Sequence, residues 1–154
     1  MRDRTIDTNG GVIDVAPGAT FCVRGSPDAI SVAPDGRCFV CDDSAPARIS
    51  VASCGQCVTY GSSAPGHIDV AAGGSCCVYD SSAPGRIDVA DGGWCETSGT
   101  SAPARISVAD GGWCGVYDSS APGRIDVAAG GFVYWRSSVP SEGRIVYAAQ
   151  KGRC

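Results

Sequence analysis

A period of 19 residues constrains this chain more than any other feature. Arg86 to Ala104, RIDVADGGWCETSGTSAPA, runs without a gap into Arg105 to Gly123, RISVADGGWCGVYDSSAPG. Counted from its isoleucine, the unit reads I-[DS]-V-A-x-G-G-x-C-x-V-Y-D-S-S-A-P-[GA]-R. Position 1 falls at Ile30, Ile49, Ile68, Ile87, Ile106 and Ile125. Ile13 opens an earlier unit of 17 residues, and Ile145 follows Ile125 after 20. Self-similarity at a fixed period near twenty is the signature of stacked repeats, in which each unit buries its apolar side only against its neighbours.

Two short alternating segments recur in every unit. The first, as in RIDVA at Arg86 to Ala90, alternates polar and apolar with the period of two of a half-buried strand. The second covers positions 8 to 12, as in WCGVY at Trp113 to Tyr117, with positions 9 and 11 facing inward. Gly-Gly pairs such as Gly111-Gly112 separate them and supply positive φ for a tight turn. The other corner is Ser-Ser-Ala-Pro-Gly, where proline lacks a ladder donor and lies outside the strand. The pattern predicts an all-β parallel β-solenoid of seven to eight rungs, each strand pairing with its copy about 4.8 Å above. Residues 12–154 form the repeat region, and residues 1–11, with their fragment TIDTNGG, form a degenerate rung or a frayed end. In the rung opened by Ile106, the expected core is Ile106, Val108, Cys114, Val116 and Ala121.

The run I-x-V-x-x-G-G-x-x-x-V, seen at Ile68 to Val78 and Ile106 to Val116, resembles the 19-residue passenger repeats of AIDA-type self-associating autotransporter adhesins. The resemblance covers about residues 12 to 150. It implies a parallel β-helix outside a bacterial cell, acting in adhesion or cell–cell aggregation. The chain departs from that pattern in its ten cysteines and in its SSAPG corner.

Net charge is −4, and the only lysine is Lys151, so no basic cluster is available to displace counterions from a nucleic-acid backbone. No run approaches the roughly 18 apolar residues of a membrane helix, and the start carries no signal-peptide pattern. The last repeat stops at Cys154 in mid-unit, which suggests a piece of a longer surface protein. No nucleophile–base pair or phosphate loop is visible. The single histidine, His67, sits where other rungs carry arginine and reads as a variant of that column. The expectation is therefore a non-enzymatic chain with no cofactor.

Cys38, Cys57, Cys76, Cys95 and Cys114 all occupy position 9, one inward ladder. Cysteine serves there as a small buried hydrophobe, as Phe21 and Val133 do at the same position. A disulfide ladder is the alternative, although side-by-side Cβ vectors fit it poorly. Cys22, Cys41, Cys77 and Cys154 are expected outward, as exposed thiols or bonds between chains, and Cys54 falls in a turn. Cys38-x-x-Cys41 and Cys54-x-x-Cys57 together have the spacing of a four-cysteine zinc site or a thiol-redox pair. That is the competing functional reading, although positions 9 and 12 have opposite parity.

Two outward faces remain. The first carries an arginine column (Arg48, Arg86, Arg105, Arg124, Arg144, with His67 among them) beside an Asp/Ser column at position 2, a solvated and charge-compensated surface. The second carries Trp94, Trp113 and Phe132 at position 8 and Tyr60, Tyr79 and Tyr117 at position 12. Such a stripe either shields itself from rung to rung or meets a partner: a second copy, a surface glycan or a protein ligand.

Overall fold

The computed structural model describes residues 4–148. Short alternating segments bounded by turn residues become sixteen strands in chain order. They begin β1 (Arg4–Asn9), β2 (Val12–Val15), β3 (Thr20–Ser26), β4 (Ala29–Val32), β5 (Arg37–Val40), β6 (Arg48–Val51), β7 (Gln56–Thr59) and β8 (His67–Val70). They continue β9 (Ser75–Val78), β10 (Arg86–Val89), β11 (Trp94–Thr97), β12 (Arg105–Val108), β13 (Trp113–Asp118), β14 (Arg124–Val127), β15 (Phe132–Ser137) and β16 (Ile145–Tyr147). Odd strands stack in one eight-stranded sheet and even strands in another, each ordered along the rod. All pairings are parallel, so the chain is a parallel β-solenoid of about eight turns with two strands per turn.

The register follows the sequence frame. Ile87 pairs with Ile106 and Cys95 with Cys114, one period apart. The short first unit and the long last one are absorbed without a slip, since Ile13 pairs with Ile30 and Ile125 with Ile145. A one-residue slip would turn every side chain to the opposite face. The apolar columns fix it instead. Ile and Val of the even strands meet Cys and Val of the odd strands, in one continuous core running from Ile13 to Val127.

The glycine pair has two separate duties. Gly111 adopts φ of 75°, the left-handed conformation that closes the turn. Gly112 lies buried under the rung before it, where an added Cβ would come within 3.0 Å of the Ala90 carbonyl oxygen. The second corner takes its left-handed residue at position 13, from Asp42, Gly61, Asp80, Gly99 and Asp118.

That corner corrects the expected core. Ala121 is only half-buried, whereas Ser120 and Pro122 on either side of it are buried. The left-handed residue resets the alternation, so position 15 points inward. Its serines, Ser44, Ser63, Ser82, Ser101 and Ser120, are all buried. They form an internal polar ladder. Ser82 Oγ lies 2.8 Å from Ser63 Oγ and donates to Thr59 Oγ1 at 2.9 Å. Ser120 Oγ repeats the pattern with Ser101 at 3.0 Å and Thr97 at 2.8 Å. The N-terminal fragment differs from its appearance as well. TIDTNGG echoes the first strand of a unit, yet Ile6 pairs with Val23, so β1 is a second-type strand.

Candidate functional site

The outer face of the odd sheet carries the aromatic stripe. Trp94 and Trp113 stack with ring centroids 5.1 Å apart and planes 6° from parallel, because in-register strands set their Cβ atoms one rung apart. Gly115 lies beneath the rings of Trp113 and Tyr117, where an added Cβ would meet them at 2.5 and 2.7 Å. Tyr117 also packs against Tyr134 at 5.9 Å, tilted by 53°. Tyr60 lies with its hydroxyl 2.8 Å from Cys41 Sγ, and the Tyr79 hydroxyl approaches Glu96 Oε1 at 3.5 Å. Burial first, and then the neighbouring Cys77 thiol, pushes the Tyr79 hydroxyl upward and keeps it a neutral donor.

The stripe is therefore not presented evenly. Tyr60, Tyr79, Trp94, Trp113 and Tyr117 are half-buried, while Phe132 is 55% and Tyr134 41% exposed. The aromatic surface opens towards β15.

The outer face of the even sheet carries ion pairs. Arg86 Nε reaches Asp88 Oδ1 at 2.9 Å, and Asp126 is held by Arg105 at 2.8 Å and Arg124 at 2.7 Å. Beside the Asp/Ser column an alanine column (Ala52, Ala71, Ala90, Ala109) floors a shallow trough of about 610 Å³ along the rod. His67 belongs to this face and lies between Asp69 and Asp88, at 3.1 and 2.6 Å. These three side chains offer donor atoms all within 4.8 Å of one another. Reading His67 as a plain variant of the arginine column misses this, because the columns show that aspartates lie beside it but not that the imidazole turns between two of them.

The cysteines separate into distinct groups. The ladder from Cys38 to Cys114 is buried and free of disulfides, with each cysteine in register with the next from rung to rung. Hydrogen bonding from the neighbouring thiols first, and burial second, raises Cys38 and Cys95 well above the ordinary thiol range. Cys76 moves the other way, to about 6, because the thiols of Cys57 and Cys95 both stabilise its charged form against the opposing effect of burial.

Cys22 and Cys41 are joined by a disulfide within the chain, with Cα atoms 6.8 Å apart, rather than serving as free thiols or bonds between chains. Cys41 and Cys77 face outward as parity requires, yet the aromatic face covers them and leaves both buried. Cys54 is exposed, and Cys154 lies outside the described residues. The four cysteines of the zinc reading are not brought together. Cys38 and Cys57 are inside the rod, Cys41 is bonded to Cys22 on the outer face, and Cys54 is in an exposed turn with φ of 61°.

No protein-family model, no curated protein and no solved structure matches this chain.

Proposed function

We propose that this chain is a non-enzymatic structural and adhesive module of a larger bacterial surface protein, and that it self-associates through the aromatic face of its odd sheet. One observation carries the reading. The stacked Trp94 and Trp113 share a column with the open Phe132, and the open Tyr134 packs on Tyr117, giving an apolar strip on the outside of a rod whose core is already filled. Large side chains outside a thin core gain little unless they cover one another or meet a partner. The even sheet carries ion pairs beside its alanine trough, and the second rod is assigned to the odd side because the large aromatic rings lie there. Two such strips packed face to face and antiparallel would make an isologous contact. The Cys22–Cys41 bond suits an oxidising compartment outside the cytosol.

Sedimentation velocity over a concentration series tests the reading. The parent should gain mass with concentration, and Trp94→Ser with Trp113→Ser should remain a monomer. The fold should tolerate both changes, because Ser75 already stands in register with Trp94. A parent that stays monomeric at high concentration and binds nothing on a glycan array would remove the adhesive reading. Glycan binding by a monomer, abolished in the double variant, would transfer the same face to a carbohydrate ligand.

A further inference from the structure

The only histidine in the chain stands in an arginine column, at the one place where two aspartates adjoin in the column beside it. Position 2 runs Asp14, Ser31, Ser50, Asp69, Asp88, Ser107, Asp126, so Asp69 and Asp88 are the sole neighbouring pair. His67 and Asp69 lie two residues apart on β8 and face outward together. Asp88 on β10 is in register with Asp69.

The imidazole Nε2 lies 2.6 Å from Asp88 Oδ2 and 3.1 Å from Asp69 Oδ1. Three lone-pair atoms thus converge on one small volume. A single N–H proton can be shared between the two oxygens but cannot lie along both directions at once. A divalent ion about 2.0–2.2 Å from nitrogen and oxygen ligands sets those atoms roughly 3 Å apart. The two separations from Nε2, 2.6 and 3.1 Å, lie on either side of that spacing, and all three donor atoms lie within 4.8 Å of one another.

The far side of each carboxylate is already occupied. Arg48 binds Asp69 Oδ2, and Arg86 Nε donates to Asp88 Oδ1 at 2.9 Å. The guanidinium groups therefore aim the remaining oxygens at the imidazole, the outer-shell arrangement that orients metal ligands. Two hydrogen-bonded strands hold all three side chains. Each is about 30% exposed, leaving room for water on the open side.

We propose that His67, Asp69 and Asp88 form a divalent transition-metal site that joins two successive rungs. One imidazole nitrogen and two carboxylate oxygens bind the ion, and water completes its coordination. This ligand set suits Zn²⁺, Co²⁺ or Mn²⁺ and has no thiolate to favour Cu(I). Binding displaces the Nε2 proton to solvent when the imidazole enters in the tautomer or charge state that carries it. The site lies on the sheet opposite the aromatic face and does not depend on self-association.

Isothermal titration of the full chain with Zn²⁺ tests the proposal, in parallel with His67→Arg and Asp88→Ser. Each replacement is the residue that another rung carries at that position, as in Arg105 and Ser107, so the rod should persist; its circular dichroism checks this. The parent should bind one more Zn²⁺ than either variant, or bind it roughly tenfold or more tightly. Cys54→Ser should leave that difference unchanged. Equal titrations for parent and His67→Arg, or no binding by the parent up to millimolar Zn²⁺, would overturn the site. Loss of the extra ion in Cys54→Ser would place it on a thiol and overturn the site equally.

Discussion

Ser82 shows how much this rod asks of single polar side chains. It is fully buried, bonds to Ser63 and Thr59 of the preceding rung, and among the described residues no buried side-chain polar atom is left without a partner. Buried hydroxyls are costly when orphaned and close to neutral when removed in pairs. Ser82→Ala should therefore lower stability by about 1–3 kcal/mol, read as a shift of the urea midpoint. Adding Thr59→Val to it should recover part of that loss, since position 11 is valine in adjoining rungs such as those of Val40 and Val78. An additive further loss would mean that the ladder is not a connected unit.

The serine ladder also marks what the sequence could disclose at this scale. Ser44, Ser63, Ser82, Ser101 and Ser120 repeat as strictly as the cysteines. Corner serines nevertheless read as ordinary turn chemistry, because simple alternation cannot be carried through a left-handed residue such as Asp80.

Each element is a four- to seven-residue strand, bar the three-residue β16, and depends on the strands of adjoining rungs for its ladder hydrogen bonds. The strands were legible because period-two alternation and the 19-residue frame agree, so Ile87, Val89 and Cys95 could be assigned inward without a structure. The 17- and 20-residue spacings were legible too, and the sheets absorb both in their corners. The diagonal bond between Cys22 and Cys41 was not, since it joins position 10 to position 12 of the next rung. The direction of the His67 ring was equally hidden, being a choice of rotamer within a correctly assigned column.

If the rung is the structural unit, removing Arg86 to Ala104, 19 residues, should leave a shorter rod with its β circular dichroism intact. Removing Arg86 to Pro103 instead leaves one residue too many and must distort the corner beside the cut. Its melting midpoint should fall below that of the whole-rung deletion. Equal midpoints would show that register is not what the period protects.

At the scale of the whole molecule, the two outer faces divide the chemistry. The even sheet compensates charge along its length and holds the His67 trio over an apolar trough. The odd sheet gathers aromatic side chains that are half-buried from Tyr60 to Tyr117 and emerge at Phe132 and Tyr134. Self-association through that emergence is the central claim, and tryptophan emission reads it where it would occur. Trp94, Trp113 and Trp135 are the only tryptophans, and Trp135 donates from its indole nitrogen to the Val139 carbonyl at 2.9 Å on the inward side of β15. Acrylamide quenching of the parent should fall as concentration carries it from monomer to assembly. The Trp135 contribution, isolated in the Trp94→Ser, Trp113→Ser variant, should not change with concentration. If the parent assembles while its quenching stays constant, the contact lies elsewhere on the rod and the claim is contradicted.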